Sequence, residues 1–402
     1  MKSIAYLMSR FPTVTETFIL YEMLELERLG LSIDVFPLIW ERSGAVHAES
    51  QPVLDRSMHR HAGVRALIVA QLFWLGRAPS SYLLAWWTAL WGNRSSYRFL
   101  IRAAYVVPKA ALFARQIRAK KIDHLHAHWA THPTLAAYVV HRLTGLPYSF
   151  TAHAHDIYVE RPMLAEKLRA ASFVVTISHS NQRLLTDLYP KFADKISVIH
   201  CGIDVDVFKP PPPRPASEMF TIICVASLRD YKGHPYLLEA CQRLRTSGIT
   251  FQCLLVGDGE DRPRIEEQIR ALGLQDEVIM LGSQSRDRVQ QLIADADVVV
   301  LPSVTTARGK KDGIPVALME ALAAERAVVA SNVSGIPELV EHDCTGLLVE
   351  ERDPEGLFQA LQRLHDDPVL RKRLGKAGRR KVVAEFDLRS TTKALYALLL
   401  QE

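Results

Sequence analysis

Short apolar runs alternate with stretches of helical periodicity along most of this chain, and that pattern sets the fold class before composition is considered. Ile4, Ala5, Tyr6 and Leu7 read as a first strand. From Leu125 onward, apolar runs fall at 148–152, 173–177, 197–200, 220–226, 251–256, 277–281, 298–301 and 327–330, with helical patterns between them. Strands alternating with helices predict an α/β fold of doubly wound parallel sheets, in which ligands sit beyond the carboxyl ends of strands.

The run Lys209-Pro210-Pro211-Pro212-Pro213-Arg214-Pro215 can extend neither a helix nor a central strand. It predicts a stiff linker over 209–217, between a first domain at 1–208 and a second at 218–384. The last residues, 385–402, read as a helix with Leu395, Leu398 and Leu399 on its apolar side. Length agrees, since 402 residues exceed what one hydrophobic core usually organises. The segment 53–118 departs from the alternation. Its aromatic and apolar residues are spaced helically with arginines between them, as in Leu83, Leu84, Trp86, Trp87, Leu90 and Trp91, so it is expected to form amphipathic helices.

Charge sharpens the reading of that segment. Residues 42–121 hold 13 Lys or Arg against 2 acidic residues, so a chain of net charge +5 carries −6 outside them. Four of the six tryptophans lie there too. An ordinary core with a solvated face, a nucleic-acid surface and a membrane-interface surface are all readings of such helices. Interleaved tryptophan and arginine favour the membrane interface, and no nucleic-acid motif accompanies the charge. The longest apolar stretches, 66–76 and 82–92, are about half of the roughly 20 residues a spanning helix needs. The five cysteines show neither zinc-site spacing nor a disulfide framework, and no cleavable leader precedes the first strand. The expected location is cytoplasmic, peripheral on the inner face of the cell membrane.

Two segments could carry chemistry. In Lys311-Asp312-Gly313-Ile314-Pro315-Val316-Ala317-Leu318-Met319-Glu320, Pro315 suits the first turn of a helix, with Asp312 in the entry loop and Glu320 on the second turn. Open amides of Gly313, Ile314 and Val316 would attract phosphate, and the carboxylates could accept hydrogen bonds from sugar hydroxyls. A helix cap and a solvated glutamate are the plainer alternative. In Ser227-Leu228-Arg229-Asp230-Tyr231-Lys232-Gly233-His234, Arg229 and Lys232 could place two positive charges over a diphosphate, or merely be solvated. His126, His128, His153, His155 and Asp156 follow strands and would also suit a metal-dependent hydrolase. Gly257-Asp258-Gly259 lacks the third glycine of a dinucleotide fingerprint and reads as a tight turn. Asp204 with Asp206, and Asp295 with Asp297, read as caps.

Together these segments resemble glycosyltransferase family 4, whose members carry two acidic residues separated by seven ahead of an alanine-rich helix. Asp312 and Glu320 fit, with Ala321-Leu322-Ala323 behind them. Phe11-Pro12 with Glu16-Thr17-Phe18-Ile19 looks like the first loop of the exopolysaccharide branch. Further matches are Thr151-Ala152-His153-Ala154-His155-Asp156, Gly202-Ile203-Asp204 with Phe208, Ser334-Gly335-Ile336-Pro337-Glu338 and Thr345-Gly346-Leu347-Leu348-Val349. The resemblance implies a GT-B fold: two Rossmann-like domains facing a central cleft, with the terminal helix crossing back to the first. It implies a retaining hexosyltransferase, without metal or other cofactor, moving sugar from a UDP- or GDP-linked donor to a lipid-linked saccharide or polysaccharide. Glu320 would bind the donor ribose, and Asp312 with Gly313, Ile314, Pro315 and Val316 the transferring sugar and phosphate. Lys232, with Arg229, would grip the diphosphate, while His153 faces the donor sugar and Glu16, Thr17, His128, His155 and Asp156 serve the acceptor side. The chain departs from the family at Asp312, often glutamate, and at Ser227, often arginine. A nucleotide-sugar epimerase of the same fold and an inactive sugar-nucleotide binding protein remain alternatives.

Overall fold

The computed structural model describes residues 2–12, 17–41, 52–53, 63–210, 212 and 219–401. Most of the proposed linker and residues 54–62 lie outside them. The chain forms two compact units, Met1–His200 with Thr391–Glu402, and Cys201–Ser390. Each is built on one six-stranded parallel sheet.

The first sheet has the order β2-β1-β3-β4-β5-β6, with β1 at Ser3–Phe11, β2 at Ser32–Trp40, β3 at His124–His128, β4 at Tyr148–Ala152, β5 at Val174–Thr176 and β6 at Ile196–Val198. Side chains alternate between its faces, as the period of a strand requires. Ile4, Tyr6 and Met8 join a core shared with the helix Thr17–Arg28 and with Leu395 and Leu399 of the terminal helix Leu388–Gln401. Ala5, Leu7, Leu125, Ala127, Tyr148 and Phe150 join the opposite core, under the helices Val64–Arg77, Pro79–Gly92, Tyr97–Lys120 and His132–Thr144. The helical expectation for 53–118 holds over the described part of that segment from Val64 on.

The second sheet has the order β12-β11-β10-β7-β8-β9, with β7 at Phe220–Val225, β8 at Phe251–Val256, β9 at Val278–Gly282, β10 at Val298–Leu301, β11 at Ala327–Ser331 and β12 at Leu347–Val349. The order reverses between β7 and β10, and in the first sheet between β1 and β3. Crossovers leave a reversal on opposite faces, which opens a crevice at the carboxyl ends of the strands beside it. Two expectations change here. Asp297 is not a helix cap; its Oδ2 accepts from the Thr221 amide at 2.9 Å and braces the start of β7. Asp204 accepts from the Asp206 amide at 3.0 Å, and Asp206 pairs with Arg389 at 2.9 Å.

Candidate active site

In the second unit, the loops after β7 and β10 meet at the sheet reversal. Gly233 has φ +71°, and a Cβ there would lie 1.8 Å from the Pro302 carbonyl oxygen, so only glycine lets the backbones approach this closely. The Val304 amide donates to the Tyr231 carbonyl at 2.9 Å and ties the loops together. Lys232 is thereby aimed at Asp312, with Nζ 2.7 Å from Oδ1 and 2.9 Å from Oδ2, and Ser303 Oγ donates to the same carboxylate. The Lys232 and Asp312 side chains are 13% and 11% exposed. Burial works against the ammonium charge, but the adjacent Asp312 more than offsets it and holds the Lys232 pKa above its ordinary value. A second cation, Lys310 Nζ, sits 4.2 Å above the Tyr231 ring.

The helix after this loop is Val316–Ala323. Pro315 is not in its first turn but precedes it as the N-cap with extended backbone, because its carbonyl already accepts from the Leu318 amide at 3.1 Å while its ψ of 128° stays outside the helix. The amides of Val316 and Ala317 open the helix without a preceding turn to accept them. Glu320 follows on the second turn. Burial raises its carboxyl to about 7, against a lowering pull from Arg286. Arg229 turns elsewhere, reaching Glu260 at 3.5 Å with its side chain 45% exposed. The tight turn expected at 257–259 lies one step on, where the Arg262 amide donates to the Gly259 carbonyl at 3.2 Å, and Gly257 has φ +139°. A Cβ there would meet the Ala226 carbonyl oxygen at 2.0 Å, so its glycine serves backbone packing beside β7.

In the first unit, the alternation of β3 puts His124, His126 and His128 on one face, opposite Ser149 and Thr151 of β4. Ser149 Oγ lies 2.8 Å from both His124 Nε2 and His126 Nδ1, and Thr151 Oγ1 lies 3.0 Å from His126 Nε2. Beyond them, His128 Nε2 is 3.0 Å from Glu22 Oε1, to which the Tyr6 hydroxyl also donates at 2.8 Å, and His128 Nδ1 is 3.2 Å from His153 Nε2. A carboxylate accepts, so Glu22 assigns the proton of His128 to Nε2. His128 Nδ1 then accepts from His153 Nε2–H, which leaves a lone pair on His153 Nδ1. Burial, reinforced by His128, keeps the His153 pKa well below its ordinary value and the ring neutral. Its ring is tilted against those of Trp129 and Phe18, with centroids 4.1 Å and 5.4 Å away. Trp129 has φ 79°, a left-handed conformation rare for an aromatic residue. Asp156 accepts from the amides of Ala130 at 2.6 Å and His153 at 3.1 Å, and buried Lys167 donates to the carbonyls of Ala130, Thr131 and Pro162 at 2.8–2.9 Å. These bonds clamp the chain on the carboxyl side of the strained residue.

Residues 15–207 match the profile of Glycosyltransferase Family 4, and residues 208–381 match that of Glycosyl transferases group 1. The chain belongs to glycosyltransferase family 4. It is 39% identical over 212 residues to the putative colanic acid biosynthesis glycosyltransferase WcaL of Escherichia coli, an alignment spanning 51% of each chain. With the protein of the same name from Salmonella typhimurium it shares 28% over 421 residues, spanning 98% of this chain and 99% of that one. Thus it spans about half the length of one curated relative and nearly all of the other. The crystal structure of Anabaena Alr3699/HepE in complex with UDP and glucose shares its fold, with TM-score 0.70 and 18% identity over 100% of both chains.

In this family 4 glycosyltransferase, the structure brings Lys232 onto Asp312 and gathers His128, His153 and Asp156 around the end of β3. It does not bring Arg229 to Asp312. His155 is exposed at the start of a short helix, Thr17 is half-buried at the start of Thr17–Arg28, and Glu16 lies outside the described residues. Glu22, Tyr6, Ser303 and Arg286 are further polar partners, and Trp129 a ring neighbour of His153, that the motifs did not single out. Glu22, His126 and His128 each offer one atom within 4.8 Å of the others, a set that could hold a cation. Yet both nitrogens of His126 face hydroxyls, and those of His128 face Glu22 and His153, so an ion would have to displace those bonds.

Proposed function

We propose that this chain transfers a hexosyl group, with retention, from a UDP- or GDP-linked sugar to a lipid-linked saccharide or a polysaccharide during exopolysaccharide synthesis. The observation that carries the reading is the Lys232–Asp312 pair at the point where the second sheet reverses its strand order, with Glu320 on the helix that follows. In this reading the second unit holds the donor. Lys232 and the amides opening Val316–Ala323 neutralise the leaving diphosphate without a metal, and Asp312 and Glu320 accept hydroxyls of the sugar and ribose. The departing phosphate deprotonates the attacking hydroxyl on the face it leaves. The histidine array of the first unit serves the acceptor side. UDP and glucose bound in the Anabaena structure support a nucleotide-sugar donor. The protein works in the cytoplasm, peripheral on the inner face of the cell membrane.

A panel of UDP- and GDP-sugars is expected to contain one that raises the melting temperature. At 100-fold over its dissociation constant it adds about 2.7 kcal/mol. Incubation with that donor and a saccharide acceptor should yield an axial linkage from an axial donor. An epimerised donor, or binding with no product, would instead support the epimerase or the inactive binding protein.

The Glu22 assignment has its own check. In Glu22→Gln the amide can donate to His128 Nε2, which moves the proton of His128 to Nδ1. Nitrogen shifts of His128 and His153 should report the exchanged tautomers, with turnover falling by about 10- to 100-fold. Unchanged shifts would mean that Glu22 does not set the tautomer.

A further inference from the structure

Of the 19 large hydrophobic side chains exposed among the described residues, 12 fall between Val64 and Tyr105. They form three stripes, one per helix. Val64, Ile68, Leu72 and Leu75 line the outside of Val64–Arg77; Leu83, Trp87 and Trp91 that of Pro79–Gly92; and Tyr97, Ile101 and Tyr105 the first half of Tyr97–Lys120. Spacings of three and four residues place each stripe on a single face. The opposite faces are committed to the core: Trp74 is buried and donates to the Ala111 carbonyl at 2.8 Å, and Tyr82 donates to Gln71 at 2.6 Å. The outward stripes are therefore not a core turned inside out. Trp87 and Trp91, 62% and 54% exposed, stack with ring centroids 5.3 Å apart, and the Arg94 guanidinium covers Trp91 at 4.0 Å.

Residues 63–121 contain ten Lys or Arg and no Asp or Glu. These helices carry only positive charge of their own, with Glu160 the acid acting on Arg98 from outside them, which disfavours pairing with a second copy because cations would face cations. The exposed face matches a lipid boundary that is apolar below and anionic above, where tryptophan and tyrosine rings sit at headgroup depth. No helix among the described residues is long and apolar enough to cross a membrane.

We infer that Val64–Arg77, Pro79–Gly92 and the amino-terminal half of Tyr97–Lys120 form a docking face that lies in the plane of an anionic lipid bilayer. Leu72, Trp87, Trp91 and Ile101 enter the acyl boundary, while Arg94, Arg98 and Arg102 meet acidic headgroups. The surface stands on its own residues; only its purpose, to meet a lipid-linked acceptor, rests on the proposed function.

The test is sedimentation of the full chain with vesicles of phosphatidylcholine alone and of phosphatidylcholine mixed equally with phosphatidylglycerol. Wild type should partition onto the mixed vesicles and much less onto the neutral ones, with binding weakened by salt. The Trp87→Ser/Trp91→Ser variant should lose about tenfold in partition onto the same vesicles. Arg94→Glu/Arg98→Glu/Arg102→Glu should lose about 100-fold or more, at roughly fivefold per lost positive charge. Wild type that ignores the mixed vesicles, or that forms a dimer dissolved by Trp87→Ser/Trp91→Ser, overturns the inference. Partition is read without donor or acceptor, so its failure leaves the transfer reading standing. Partition without transfer counts against that reading alone.

Discussion

Lys232→Ala is expected to lower turnover by about 100- to 1,000-fold, the loss seen when one preorganised donor is removed from a developing negative charge. The argument starts from the pair itself. Lys232 is held by Asp312 rather than by solvent, and its pKa lies above the ordinary value, so it is charged across the physiological range. Removing it leaves Asp312 with Ser303 Oγ as its remaining side-chain donor among the described residues and turns the local field from balanced to negative, just where a diphosphate would have to sit. Donor affinity should fall along with turnover. Steady-state kinetics with a saturating acceptor would show it, and full activity in this variant would remove the central assignment.

Glu320 gives the second large effect, and it has a pH signature. Its carboxyl is raised by burial to about 7 from an ordinary value of 4.5. Between those values the folded state binds a proton that the unfolded chain has released, so stability falls as pH rises across that window, by about 3 kcal/mol at most. Glu320→Gln should lose that decline, which denaturant melts at pH 5 and pH 8 would show. Binding is expected to run the other way. Ribose hydroxyls need the ionised carboxylate as acceptor, so nucleotide affinity should rise through about pH 7 in the wild type and stay flat in the variant. Glu320→Ala should weaken donor binding by about 10- to 100-fold, the scale of one hydrogen bond to a charged group. A wild-type affinity at pH 8 in that variant would place the ribose elsewhere.

The sequence shows these residues unequally, for physical reasons. The histidine array was legible only in part: the sequence places His126 and His128 after a strand, whereas they lie within β3, whose period of two puts the unremarked His124 on the same face. Lys232, Asp312 and Glu320 were legible because each lies in a loop or helix just after an apolar run. The bond between Lys232 and Asp312 was not, since residues 80 positions apart meet only because β7 and β10 are neighbours. Glu22 was hidden in an ordinary amphipathic helix, and Arg286 at the start of another. The strand β2 escaped because Pro37 lies within it; as an edge strand it can do without one backbone donor. Arg229, a basic residue after a strand, lies against the exposed Glu260 at 3.5 Å, a pairing that its position in the sequence does not announce.

The terminal helix has a consequence for synthesis. Leu395 and Leu399 fill the core beside Ile4, Ile19 and Val35, and Lys2 Nζ donates to the Leu399 carbonyl at 2.7 Å. The first unit therefore waits for its final wedge until the whole second unit has emerged from the ribosome. During that interval apolar surface beside β1 stays uncovered, an opening for chaperones and for aggregation alike.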